Sequence, residues 1–297
     1  MDYCRLANIY ESLRKVSSKL EKTRILAGFF RETTPHDLEK VVLLVQGRVF
    51  PRFVGYELGI AARMMIKAIS KFTGFPPVEI EDRLREKGDL GLVAEEYVEK
   101  RKQAFQSAGR LTVGRVFEDL RKLAFISGAG SQNRKFVLIG DLLASARPRE
   151  ARYIVKTILG ELRVGVAEGI IRDAIVDAFL LRKEINKKER GKLRDLVDYA
   201  WNITSDYGEV ARIAKMEGAD GLRRVRLRLG RPFQVMLGLS AKSIDEIIGK
   251  FGNVAAEWKY DGVRIIIEKS GGRIWLFTRR LEDITEQFPD IVELAEK

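Results

Sequence analysis

The chain has 297 residues, 45% hydrophobic and 32% charged, with 54 Lys and Arg against 42 Asp and Glu for a net charge of +12. That length and apolar fraction suit one large or two ordinary domains with a real core, and they exclude a disordered tail or a collagen-like chain. No run of about 18 apolar residues occurs and the N-terminus lacks the basic-then-apolar layout of a signal peptide, so the sequence predicts neither a membrane span nor secretion, and points to the cytoplasm.

From Met1 to about Trp201 apolar residues recur at three- and four-residue spacing, as in Leu38, Val41, Val42 and Val45, which predicts an all-helical region of roughly ten helices. Cys4, the one cysteine, has no partner for an internal disulfide, and with His36, the one histidine, it falls short of a structural zinc site. Thr34-Pro35-His36-Asp37 reads as a helix start with Thr34 as N-cap, making His36 a surface residue and a Ser-His-Asp machine unexpected. Thr112 precedes a predicted helix Val113 to Ala124, and Pro148 opens another through Leu159. Between these helices, Ser127-Gly128-Ala129-Gly130-Ser131 reads as a loop. Mixed-charge runs such as Glu95-Glu96 and Glu99 to Lys102 read as solvated helix surface.

From Glu217 to Pro232 the helical stripe is lost and Arg223, Arg224, Arg226, Arg228 and Arg231 follow with no acid among them. Such a segment is either a solvated linker or a basic strap over a phosphate backbone. Beyond it, Ile244 to Phe251 predicts a short amphipathic helix, and Ala255 to Tyr260, Val263 to Glu268 and Arg273 to Thr278 predict strands. The last two are joined through Ser270-Gly271-Gly272 as a hairpin. Three strands and a short helix are too few for an independent α+β domain.

The most informative stretch is Glu257-Trp258-Lys259-Tyr260-Asp261-Gly262-Val263-Arg264. Strand alternation would put Glu257, Lys259 and Asp261 on one face, with Gly262 letting Arg264 return toward it. A lysine amine acts as a covalent nucleophile once deprotonated, and neighbouring cations such as Arg264, Arg279 and Arg280 favour that form. The plain alternative is a half-buried lysine paired with Asp261 or Glu257. Lys-x-Asp-Gly-x-Arg fixes four positions, and its chance occurrence in a chain this size is below roughly one in a hundred.

This segment resembles motif I of the covalent nucleotidyltransferases, the superfamily of ATP-dependent DNA ligases, RNA ligases and mRNA capping enzymes. Phe277-Thr278-Arg279-Arg280-Leu281-Glu282-Asp283-Ile284-Thr285 and Phe288-Pro289-Asp290-Ile291 are similar to the continuation found in archaeal and eukaryotic replicative-type DNA ligases. Gly160 to Gly169 resembles a signature of the DNA-binding domain of that class, and Gly128 to Gln132 with Lys135 resembles another of its loops. The similarity runs the whole chain in order.

The resemblance implies a multidomain α and α+β architecture. An all-helical DNA-binding domain at 1–205 and a basic connector at 206–231 would precede the start of an α+β adenylation (nucleotidyltransferase) domain at 232–297, a chain that looks truncated against its family. It implies Lys259 as the adenylated nucleophile, Glu257 as acceptor of the adenine amino group and Arg264 near the ribose and nick phosphate. Arg279 and Arg280 would lie near the 5'-phosphate. Gly128, Gly130, Ser131, Lys135, Gly160, Arg163 and Gly165 would meet duplex backbone, with Glu161 standing where relatives often have a basic residue. ATP and Mg²⁺ would be the cofactors and nicked duplex DNA the partner, in replication, repair and recombination, with the protein acting as a monomer. No second acidic motif follows, so metal ligands are not assigned. Gln103 to Phe105 lies where some archaeal ligases carry a sliding-clamp motif, against the plainer reading of a packed helix end. The alternatives are a non-catalytic duplex-DNA-binding chain and an RNA ligase or capping nucleotidyltransferase; the latter leaves the helical region unexplained.

Overall fold

The computed structural model describes residues 1–104, 110–181, 186–235 and 240–297, leaving aside the side chains of 102–104. It is mostly helical with one small two-stranded sheet. The helices are α1 (Tyr3–Lys15), α2 (Lys19–Glu32), α3 (Pro35–Val45), α4 (Ala62–Thr73), α5 (Pro77–Lys87), α6 (Leu90–Ala104), α7 (Val113–Phe125), α8 (Ser131–Ser145), α9 (Pro148–Ile158), α10 (Glu168–Ile175), α11 (Lys187–Thr204) and α12 (Tyr207–Arg223). After α12 come α13 (Ile244–Phe251), the hairpin β1 (Ile265–Ser270) and β2 (Arg273–Thr278), and α14 (Pro289–Glu296).

Local chemistry sets the helix starts. The hydroxyls of Thr34 and Thr112 accept from the N–H groups of Asp37 and Arg115, satisfying donors that lack intrahelical partners. Pro35 and Pro148 occupy first-turn positions, where a missing N–H costs nothing. Asn186 and Glu189 cap each other reciprocally at the start of α11. Single faces of these helices then merge into one core, in which α6 packs on α9, α3 on α12 and α2 on α10.

Several sequence expectations change here. The sequence from Glu217 shows no helical stripe, yet α12 runs to Arg223, bent at Gly218, and buries Val210, Ala211, Ala214 and Leu222. Glycines and arginines at its end mask the period, while the tertiary surface offered by α3 decides the outcome. Most of the arginine run is neutralised internally. Arg223 pairs with Asp220, Arg224 with Glu217, and both Arg228 and Arg231 with Glu209. The expected strand Ala255 to Tyr260 is absent, and residues 251–264 are exposed and not strand. A strand needs a neighbour for its N–H and C=O groups, and β1 pairs only with β2 among the described residues. The first hairpin strand is also displaced, to Ile265–Ser270, around a two-residue Gly271-Gly272 turn with φ of 54° and 78° at its two positions.

The helix Ile244–Phe251 forms where predicted but buries no residue. The hairpin and α14 enclose a small second core of Ile274, Leu276 and Ile284. It touches the segment after α12 through Glu268, whose carboxylate accepts from the Gly230 N–H at 2.7 Å. Trp275 covers the same glycine so closely that a Cβ there would lie 3.0 Å from the indole.

Arg231 fastens the segment after α12. Its guanidinium bonds Glu209, donates to the Thr204 carbonyl at 2.6 Å and lies 3.5 Å from Asp206, while Ser205 donates to the Pro232 carbonyl at 2.7 Å. Burial, opposed by Arg231 and the N–H groups of Gly208 and Glu209 and reinforced by Glu39, pushes the Asp206 carboxyl up to about 6. The folded chain therefore holds this proton more tightly than the unfolded chain. Its contribution is complete below the unfolded value of about 4 and is lost as pH rises through 6. Asp206→Asn is expected to remove that part of the pH dependence. Urea midpoints from pH 4 to 7 should show the wild type gaining relative to the variant at the acid end; a constant difference would contradict it.

Candidate nucleic-acid interface and nucleotidyl-transfer residues

Three loops of the helical part lie side by side. The Gly160 to Ala167 turn joins α9 to α10, the Ser127 to Gly130 loop joins α7 to α8, and residues 46–61 join α3 to α4. A Cβ on Gly47 would meet Leu162 at 3.2 Å, which places the first and third loops in contact. Lys135, in the second turn of α8 just after the second loop, donates to the carbonyls of Leu58 at 3.0 Å and Gly59 at 3.5 Å and so ties the start of α8 to the third. Two of the loops were singled out from sequence, whereas the one that joins them, 46–61, was missed. Its glycine spacing, Gly47, Gly55 and Gly59, was the available signal.

The chemistry of this surface is basic and aromatic. Arg163 is exposed and has no hydrogen bond or ion pair among the described residues, as expected for a group free to meet phosphate. Arg52 lies 3.6 Å from Glu168, and burial together with Arg52 pulls the Arg48 guanidinium below its usual value. Tyr56 and Phe125, both more than half exposed, meet edge to face at 4.9 Å, and Arg121 covers Phe50 beneath them. A groove of about 1090 Å³ runs along the 46–61 loop past Gly160 to Glu282 and Asp283 of the C-terminal segment.

Lys135 does not stand where a phosphate contact requires. It is buried and its ammonium is engaged by loop carbonyls. Gly128, Gly130 and Gly160 are exposed, and a Cβ on any of them would meet open space. Gly165 is exposed on one side and backed by Lys22 on the other.

In the C-terminal part Glu257, Lys259, Asp261 and Arg264 are exposed. No hydrogen bond or ion pair joins them to one another, so the expected convergence on one strand face is not formed among the described residues. Arg279 and Arg280 sit on a tight loop after β2. The Thr278 hydroxyl accepts from the Arg280 and Glu282 N–H groups, and Leu281, buried at φ 67°, anchors the turn. A buried leucine in left-handed backbone is unusual and holds the two exposed guanidiniums at a fixed point of the chain. The clamp-like segment is not informative here, since Phe105 and the Gln103 side chain lie outside the described residues. His36 is exposed, and among the described residues no group of three or more His, Cys, Asp or Glu is placed to hold a metal ion. No helix among them is long and apolar enough to cross a membrane.

A helical module with basic glycine loops, followed by a lysine-bearing segment on the way into a small sheet, is the order in which two family models match. Residues 2–176 match the model described as DNA ligase N terminus, and residues 235–297 match the ATP dependent DNA ligase domain. The chain belongs to the DNA ligase family. It is 44% identical over 296 residues to a DNA ligase of Nanoarchaeum equitans, covering 99% of this chain and 50% of that protein. It is 41% identical over 294 residues to a DNA ligase of Thermococcus fumicolans and 43% identical over 295 residues to one of Methanothermobacter thermautotrophicus, in each case over 99% of this chain and 51% of the relative. The chain spans about half the length of these relatives.

Proposed function

We propose that this protein seals 5'-phosphate/3'-hydroxyl nicks in duplex DNA with ATP, the helical part holding the duplex and Lys259 carrying the adenylyl group. The observation that supports this most is Lys259 itself. It lies in Lys-x-Asp-Gly-x-Arg inside the stretch matched by the ATP dependent DNA ligase domain, exposed and engaged by no acid among the described residues. In the first step the Lys259 Nζ lone pair attacks the α-phosphorus of ATP. A P–N bond forms, the P–O bond to pyrophosphate breaks, and the amine proton passes to solvent. The 5'-phosphate oxygen at a nick then attacks the same phosphorus and frees Lys259, after which the 3'-hydroxyl displaces AMP.

The side chains present fit this substrate. Glu257 offers an acceptor for an exocyclic amine, and Arg264, Arg279 and Arg280 offer guanidiniums that no carboxylate occupies among the described residues. Mg²⁺, when bound, would neutralise charge developing on the phosphoryl oxygens. In the domain division proposed here, the helical part reaches through α12 and the adenylation part begins near residue 232.

Two assays test the reading. Nick sealing by the full-length protein should require ATP, and duplex binding by the helical part should weaken steeply as salt rises, since phosphate contacts release counterions. Arg163→Ala is expected to weaken binding evenly across sequences and to lower the salt slope by about one unit. Binding without sealing would favour a non-catalytic DNA-binding role, and binding indifferent to salt would contradict the interface.

A further inference from the structure

Lys22 is buried on α2, 8% exposed, and its ammonium has two main-chain partners, the carbonyl oxygens of Val164 at 3.1 Å and Gly165 at 3.0 Å. No carboxylate lies within ion-pair distance of it among the described residues. A buried cation compensated only by carbonyls is a poor device for stability, because an apolar side chain of similar size would avoid the desolvation altogether. What this arrangement does fix is the path of the Gly160 to Ala167 turn.

Backbone conformation favours glycine at 165, and a side chain there would also have to push the Lys22 ammonium aside. Its φ is +68°, and a Cβ would lie 2.2 Å from the Lys22 ammonium. The peptide bonds among the described residues are trans, so the C=O and N–H of each peptide plane point in opposite directions. Turning the Val164 and Gly165 carbonyls inward onto the ammonium therefore turns the N–H groups of Gly165 and Val166 outward. Neither N–H donates a hydrogen bond among the described residues. Successive outward N–H groups of this kind form a concavity suited to an anion.

The adjoining loop repeats the device. Lys135 is buried against the Leu58 and Gly59 carbonyls, and Gly59 has φ +63° with a Cβ position 2.9 Å from that ammonium. The N–H groups of Gly59 and Ile60 likewise have no hydrogen-bond partner among the described residues.

We propose that Lys22 is a positioning residue for duplex binding, holding the Gly165 and Val166 N–H groups toward one phosphate of the DNA backbone without touching the DNA itself. This rests on the reading that the helical part holds duplex DNA. Lys22→Met and Gly165→Ala are the informative pair, because the first removes the ammonium while the second displaces the turn and leaves the net charge unchanged. Each is expected to weaken binding to nicked duplex about tenfold or more and to lower the salt slope by about 0.9, one phosphate contact. The double variant should be no weaker than the weaker single. Losses that multiply, or singles that bind as the wild type does, would overturn the proposal, as would a fall in thermal stability with an unchanged salt slope.

Hydrogen exchange on the wild type gives an arm that does not depend on the variants folding. The Gly165 and Val166 amides should exchange fast in the free protein and slowly with nicked duplex bound; fast exchange in both states overturns the proposal. A wild type that binds no duplex overturns the underlying reading, and this inference with it.

Discussion

Lys259→Arg is expected to reduce ATP-dependent nick sealing on the order of 10³-fold or more while leaving sealing of a nick that already carries a 5'-adenylate largely intact. The exchange keeps the positive charge but removes the nucleophile, since a guanidinium stays protonated where an amine can lose its proton. The position is exposed and residues 251–264 make no packed core, so thermal unfolding should be unchanged and the loss assignable to chemistry. Sealing of both substrates at the wild-type rate would show that another residue carries the nucleotide. Loss on both would mean that Lys259 also serves the final step.

Arg231→Met is expected to destabilise the helical part by about 3–5 kcal/mol, because removing one partner of a buried ionic cluster leaves charge uncompensated. Asp206, the N-cap of α12, and Glu209 in its first turn are both buried, and among the described residues Arg231 is the one guanidinium that faces both while also bonding the Thr204 carbonyl. Arg228 also reaches Glu209, at 3.2 Å, but is exposed. A urea midpoint measures the loss. Adding Asp206→Asn and Glu209→Gln to Arg231→Met should restore much of the stability, since the buried charges are then gone together. A single variant as stable as the wild type would show that the cluster is dispensable.

What the sequence made legible was what depends on neighbours along the chain. Thr34, Thr112 and Pro148 announced their helices because a cap or a first-turn proline acts within a few residues. The Gly271-Gly272 turn announced its hairpin for the same reason. The Lys259 motif was legible as a family motif without any structure, and the match to the ATP dependent DNA ligase domain spans it. By contrast, Lys22 reaches a carbonyl 142 residues away, and nothing in the helix around it marks it as other than a surface lysine. Lys135 reads from sequence as a group meeting duplex backbone, whereas its ammonium is turned inward onto residues 76 and 77 positions distant, which no local pattern announces. Arg228 and Arg231 looked like free cations until α12 brought Glu209 against them. The strand expected at Ala255 to Tyr260 has the right alternation, but alternation describes a surface that needs a partner, and none of the described residues supplies one.

Lysyl-nucleotide formation is the centre of the account, and intact mass of the purified protein after incubation with ATP and Mg²⁺ measures it directly, with Lys259→Ala alongside and peptide mapping of any adduct. The account predicts a gain of one adenylyl group, mapped to Lys259, lost in the variant and reversed by added pyrophosphate. An adduct that persists in Lys259→Ala, or its absence from the full-length wild-type protein, would contradict it.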